Sequence, residues 1–373
     1  MFLVVGSLED YHFTCVESRE YLIETESRWL HANNVHLVIA DVVPIACPAG
    51  KAAGIPVVCV TNFSWDFVYS EYLTAAGGKY RQMVWQIAND YSKAQLCLRL
   101  PGYVPMPAFR DVVDVPLVVR TARRSKEEVR RAYNVPVGDR LLLLCFGGQS
   151  SEFSLQESYL PEGWHCIVCA GSTTKALPHR FLIPPADEYI PDLLNASDCM
   201  LGKIGYGTSS EALAHNVPLI FIRRDYFNEE PFLRKLLQHH SCSVEMSRRD
   251  FHSGNWSSYL ERAVRIRPHY KEPLNGGEVV ANILCSVAEG KYVHKEANSE
   301  IRLRDAIVFG YQLQRARNIH PTESDGNLSI PLQPTTSKIP DWYTKGLPLA
   351  LADLELDLSA TNSPKGLGTT LEF

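Results

Sequence analysis

Cys199-Met200-Leu201-Gly202-Lys203-Ile204-Gly205-Tyr206-Gly207-Thr208-Ser209-Ser210-Glu211-Ala212-Leu213-Ala214-His215-Asn216-Val217-Pro218-Leu219-Ile220-Phe221-Ile222 is the stretch whose reading decides the fold. It starts as a short apolar strand over 199–201, passes through a glycine-containing loop over 202–207, and predicts a helix opening at Thr208. Pro218 then precedes a second apolar run, 219–222. Strand, helix and strand in this order make a crossover unit, and a crossover of this length leaves its two strands parallel. The loop is also an anion site by type. Glycines let a phosphate approach the backbone closely, a helix N-terminus offers N–H groups outside the helical ladder, and Thr208 and Ser209 add hydroxyls. Glu211, read as lying in the first helical turn, suits the two hydroxyls of a ribose whose phosphates rest on Gly205, Gly207 and the helix end. Lys203 adds positive charge. The same spacing also fits a plain glycine-containing turn in which Glu211 only answers the helix dipole.

Working outward, the alternation continues on both sides. Upstream, Leu141-Leu142-Leu143-Leu144-Cys145-Phe146 is a fully apolar run, the composition of a strand covered on both faces. It ends in Gly147-Gly148-Gln149, which places a second glycine turn on the same strand-end edge, where open α/β sheets bind ligands. Further apolar runs fall at 165–170 and 242–246, with helical patterns over 190–196, 228–239, 256–266 and 278–289 between and after them. The first third of the chain repeats the scheme, with a helix over 17–31, strand-like runs at 35–40, 57–61, 94–100 and 112–119, and helical stretches at 46–53 and 80–91. Ser125-Lys126-Glu127-Glu128 has capping-box spacing and starts a helix within a stretch of six basic residues, 120–131. The expected fold class is therefore α/β with two Rossmann-like domains. Residues 1–120 form the first domain and 121–290 the second, nucleotide-binding one. A C-terminal helix follows over 291–314, with Leu303, Ile307, Val308 and Tyr311 on one face, and then a largely disordered tail over 315–373.

Composition narrows the function class. The 373 residues carry 37 Lys+Arg against 42 Asp+Glu, a net charge of −5, which lacks the basic field of a nucleic-acid binder. No apolar run reaches the ~20 residues of a membrane span. The opening residues have no basic region before a long apolar core, so a secretory signal is not expected and the cytoplasm is the favoured compartment. Most of the ten cysteines sit inside apolar runs, where a reduced cysteine acts as a small hydrophobe. Cys166-Ile167-Val168-Cys169 has metal-ligand spacing, but in a strand these two side chains point to opposite faces, and no metal site is expected.

Two further groups are candidates for a cleft. Asn62-Phe63-Ser64-Trp65-Asp66-Phe67 follows a buried strand, so Asn62 and Asp66 either line a cleft or belong to a packed aromatic turn. Asn228 and Glu229, after the 219–222 strand and Arg223-Arg224, either face a ligand or cap the following helix.

These residues carry a resemblance. Tyr189-Ile190-Pro191-Asp192-Leu193-Leu194, Ala196-Ser197-Asp198, Gly205-Tyr206-Gly207-Thr208-Ser209-Ser210-Glu211 and Phe227-Asn228-Glu229 resemble the donor-nucleotide half of GT-B glycosyltransferases, in which the glycine turn and the acid hold diphosphate and ribose. Over about residues 17–345 the chain resembles, more closely, the N-terminal glycosyltransferase-like region of plant L-arabinokinases. Stretches that carry this likeness include Thr61-Asn62-Phe63-Ser64-Trp65-Asp66-Phe67, Pro105-Met106-Pro107-Ala108-Phe109-Arg110-Asp111 and Leu303-Arg304-Asp305-Ala306-Ile307. The resemblance implies a UDP-type nucleotide sugar as ligand and a small-molecule sugar as partner. It also implies a separate GHMP kinase domain that uses ATP and Mg²⁺ to phosphorylate arabinose at C1. No Pro-x-x-x-Gly-Leu-x-Ser-Ser phosphate loop occurs in this sequence, and the family's opening Gly-His-Gly-x-Gly-His loop is also missing. The first domain is thus expected to be truncated, and kinase activity is not expected of this chain. Two readings follow: a nucleotide-sugar-binding, glycosyltransferase-like module without an assigned catalytic base, or a non-catalytic, regulatory or partial relative of L-arabinokinase that binds a ligand or a protein partner.

Overall fold

The computed structural model describes residues 8–76, 80–146, 155–169, 177–224 and 227–292. The chain divides into two compact units, 1–321 and 322–373, and every described residue lies in the first. The helix expected over 291–314 and the tail over 315–373 fall outside the described residues from 293 onward.

The first sheet holds four parallel strands in sequence order: β1 (Val38–Ala40), β2 (Val57–Thr61), β3 (Leu96–Arg99) and β4 (Val112–Asp114). Its connections are helical: α1 (Arg19–Ala32) before β1, α2 (Ala46–Ala52) between β1 and β2, and α3 (Trp65–Ala76) with α4 (Arg81–Tyr91) between β2 and β3. Pro48 fits α2 because it sits in the first turn, where its missing N–H removes no helical bond. α4 is held by Met83, Val84, Ile87 and Tyr91, all buried. A two-pronged ion pair, Arg19 to Asp90 at 2.5 and 2.6 Å, ties it to α1. β4 stops well short of residue 119, since Pro116 cannot continue the ladder. α3 was not read from sequence. Its first turn is made of Trp65, Asp66 and Phe67, which the sequence assigns to a cleft or a turn.

The second sheet has six parallel strands, β5 (Arg140–Cys145), β6 (Trp164–Cys169), β7 (Phe181–Leu182), β8 (Cys199–Lys203), β9 (Leu219–Ile222) and β10 (Ser243–Met246), in the spatial order β10-β9-β8-β5-β6-β7. Helices α5 (Lys126–Ala132), α6 (Ile190–Ala196), α7 (Tyr206–Ala214), α8 (Glu230–His239), α9 (Arg248–Ser253) and α10 (Ser257–Arg265) surround it. The leucine run of β5 shows why both faces are covered. Leu141 and Leu143 pack with Leu193, Leu213 and Leu233 on one side, while Leu142 and Leu144 pack with Trp256 and Leu260 on the other. Cys166 and Cys169 fall on these opposite faces, as a strand requires. The expected capping box is present at the start of α5, where Ser125 and Glu128 satisfy each other's backbone N–H.

The last described helix, α11 (Gly276–Ala288), follows the second sheet in sequence yet packs on the first: Val280 and Val287 share a cluster with Val58, Leu96 and Leu98. A Cβ on Gly276 would lie 2.2 Å from the Pro116 carbonyl oxygen, so this close approach requires glycine. The carboxyl edges of the two sheets face each other. Asn62, directly after β2, hydrogen-bonds to Glu229, which lies beyond the end of β9. No described helix is long and apolar enough to cross a membrane.

Candidate functional site

The strand order of the second sheet creates the site. From β5 the chain moves outward to β6 and β7, then returns across the sheet to β8 on the other flank of β5. Connections leaving β5 and β8 therefore diverge, and a crevice opens at their carboxyl ends. Beneath it the two strands close up tightly: a Cβ on Gly202 would lie 2.1 Å from the Cys145 carbonyl oxygen. Beyond β5 the chain continues into Gly147, Gly148 and Gln149, three expected phosphate contacts that lie outside the described residues.

Beyond β8 the chain enters α7, which begins at Tyr206, two residues earlier than the sequence reading placed it. Gly205 takes the N-cap in extended backbone with no side-chain cap, and the first helical bond runs from Ser209 N to Gly205 O at 2.9 Å. The N–H groups of Tyr206, Gly207 and Thr208 thus take no part in the ladder of α7. A Cβ built on Gly205 or Gly207 would meet nothing within 4 Å among the described residues. Gly207 and Thr208 are therefore helical residues of an exposed first turn. Ser209 is fully buried, and its hydroxyl has no hydrogen-bond partner among the described residues. Glu211 is the sixth residue of α7, in its second turn, and the first turn carries no acid. That position corrects the sequence placement, and the cause is the N-cap at Gly205.

Glu211 is nearly buried, and Arg120 Nε donates to its Oε1 at 2.7 Å. Arg120 itself stays largely exposed. Its guanidinium lies 5.6 Å from the Tyr189 ring, which also carries Arg123 at 4.0 Å. Lys203 ends β8 beside the start of α7. Burial lowers its ammonium pKa, the positive charge of Arg224 lowers it further, and Glu229 works in the opposite sense. The rim of the crevice is thus cationic, with helical N–H groups at its centre.

Asn62, Asp66, Asn228 and Glu229 do come together, but largely by holding each other. Asn62 Nδ2 donates to Glu229 Oε1 at 2.8 Å, and Asn228 Nδ2 donates to the Phe67 carbonyl at 2.9 Å. Edge-on aromatic contacts, Phe63 to Phe227 and Phe67 to Phe232, flank these bonds. Arg224 Nη2 reaches the other Glu229 oxygen at 3.3 Å. This network is a clasp between the two sheets, formed where α8 begins: α8 starts at Glu230, so Asn228 and Glu229 precede it. Asp66 is fully buried, and neither of its carboxylate oxygens has a hydrogen-bond partner of normal geometry among the described residues. Burial pushes its carboxyl up to about 6, and the Ser64 hydroxyl with the Phe67 and Asp66 N–H groups recovers only part of that penalty.

Other residues of the sequence motifs are structural. Asp192 accepts from the N–H groups of Arg123 and Arg124 at 2.5 and 3.0 Å and from the Arg124 side chain at 2.9 Å. Burial pushes its carboxyl up, but these bonds outweigh that and hold it below the usual range. Asp198 is held below that range in the same way, by Arg130 and the Leu141 N–H, and it anchors α5 to β5. Among the described residues, no group of three or more His, Cys, Asp or Glu is placed to hold a metal ion. Arg120 beside Glu211, and the Tyr189 ring beside Arg120, are neighbours of the candidate site that the sequence does not assign to it, although Tyr189 opens the Tyr189–Leu194 motif. The only sequence signal for Arg120 was its membership in the basic run 120–131.

No family model matches the chain. It is 50% identical over 363 residues to L-arabinokinase of Arabidopsis thaliana, an alignment that covers 96% of this chain and 33% of that protein. The chain therefore spans about a third of the length of the curated relative it matches. Among solved structures it is similar to CalG4, the calicheamicin glycosyltransferase, at 14% identity and a TM-score of 0.49 over 82% of this chain and 80% of that one. It is also similar to UGT2 of Phytolacca americana, at 13% identity and a TM-score of 0.44 over 80% of this chain and 81% of that one.

Proposed function

We propose that this chain is a nucleotide-sugar-binding module of glycosyltransferase type, with its ligand seated at the crevice between β5 and β8. The observation that carries the reading is the coincidence of a strand-order reversal with a glycine-capped, open helix N-terminus. The diphosphate rests on the N–H groups of Tyr206, Gly207 and Thr208 with Lys203 beside it, and the ribose hydroxyls donate to Glu211. If the sugar is transferred, the same N–H groups and Lys203 stabilise the charge on the departing diphosphate. A UDP-type sugar is the ligand to try first, and the cytoplasm is the proposed compartment. Kinase chemistry is no part of this reading, since the sequence carries no GHMP-type phosphate loop.

A second reading, a non-catalytic regulatory module, is favoured by one observation. Glu211, Asn62 and Glu229 are all engaged with partners of this same chain. Titration with UDP-, GDP- and ADP-sugars by calorimetry tests the first reading. Binding of one nucleotide sugar is expected, weakened roughly 10- to 100-fold by Glu211→Ala through loss of charge-assisted hydrogen bonds. If the folded protein bound none of them, the donor-site reading would be lost and the regulatory one would stand.

A further inference from the structure

Resting on the nucleotide-sugar reading, we infer that Arg120 is a further residue of this site and guards it, because its guanidinium occupies the carboxylate that the ribose must reach. The Glu211 side chain is 11% exposed and that of Arg120 is 57% exposed, so the arginine lies on the solvent side of the acid it holds at 2.7 Å. Arg120 is well anchored. Two residues before it, the Val118 N–H donates to Tyr206 Oη at 3.4 Å, at the very start of α7. One residue after it, the Thr121 carbonyl accepts from Tyr189 Oη at 3.2 Å. These two contacts hold this segment, which joins the two sheets, along the flank of α7, and they present the guanidinium to Glu211.

A carboxylate has two oxygens, and a ribose offers two vicinal hydroxyls. Arg120 Nε takes one of the roughly four lone-pair positions of the Glu211 carboxylate, and the exposed guanidinium covers the solvent side of the acid, so a ribose that engages both oxygens from that side displaces the guanidinium. A pair with one exposed partner is a modest latch, and its release is within the reach of a ligand that also binds through its phosphates. Ribose binding would thereby loosen one tie between α7 and the segment connecting the sheets.

The test is calorimetry on the full chain with two probes, a UDP-sugar and inorganic pyrophosphate, for the native protein, Arg120→Ala and Arg120→Lys. Pyrophosphate reaches the helix N-terminus but has no ribose, so it separates release of Glu211 from a general change in field. The expected result is UDP-sugar affinity at least threefold tighter in Arg120→Ala, affinity close to native in Arg120→Lys, and pyrophosphate affinity that does not tighten in either variant. UDP-sugar binding that is equal or weaker in Arg120→Ala overturns the guarding role while leaving the donor site intact. Parallel changes for both probes also overturn it, because they assign Arg120 to the phosphates. Absence of UDP-sugar binding by every protein removes the nucleotide-sugar reading and the guard with it, whereas binding by Arg120→Ala alone is the strongest form of the expected result.

Discussion

Gly202→Ala is expected to destabilise the protein by roughly 3 kcal/mol, read as a lower urea midpoint with an unchanged slope. The new methyl group would lie 2.1 Å from the carbonyl oxygen of Cys145, on the neighbouring strand β5. No flexible side chain can yield there, so β5 and β8 must separate along a register that runs from Leu142 opposite Cys199 to Cys145 opposite Gly202. Those strands form the centre of the six-stranded sheet and the floor of the crevice, so the strain falls on the site as well as on the core. Gly277→Ala is the contrast. Its Cβ meets nothing within 4 Å, and it lies in the first turn of α11, where alanine is the better helix former, so a neutral or slightly stabilising effect is expected. Equal effects at the two positions would show that close strand approach is not what Gly202 provides.

Asp66→Asn is expected to stabilise the protein at neutral pH, by up to about 3 kcal/mol, and to have no stabilising effect in acid. Burial raises the Asp66 carboxyl from 3.8 to about 6, so the folded protein holds this proton more tightly than the unfolded chain does. The contribution of the protonated acid is therefore fully present below pH ~4 and is lost as the pH rises through about 6. Asparagine keeps the shape and has no charge to desolvate. The helix dipole at the start of α3 favours the carboxylate and trims the effect. Thermal or urea unfolding at several pH values checks this. A variant whose stability difference is flat between pH 4 and 8, or is unfavourable at pH 7.5, would contradict the assignment of burial as the cause.

How much of this was legible in the sequence follows from the range of each interaction. The apolar runs of β2 and β5, the crossover between β8 and β9, and the capping box at Ser125 are local, and they predict two parallel α/β sheets before any contact is known. The candidate crevice follows from the same pattern, because a glycine turn after β8 needs only neighbours in sequence. α3 was missed because Asn62, Ser64 and Asp66 read as loop formers, while burial of Phe67, Val68 and Leu73 drives the helix. The start of α7 was misplaced because Gly205 in extended backbone serves as N-cap without a side-chain hydrogen bond, which leaves no residue-type signal. The clasp from Asn62 to Glu229 spans 167 positions and the ion pair from Arg120 to Glu211 spans 91, and no local pattern encodes either. Both interactions change the reading of the site, since each engages a group that the sequence alone would leave open for ligand.

A nucleotide sugar lying across the carboxyl ends of β5 and β8 would be seen in a crystal structure of the chain grown with a UDP-sugar. The expected density places the diphosphate against the N–H groups of Tyr206, Gly207 and Thr208 and the ribose hydroxyls on Glu211. Ligand density confined to another surface, with the α7 N-terminus and Glu211 untouched, would contradict it.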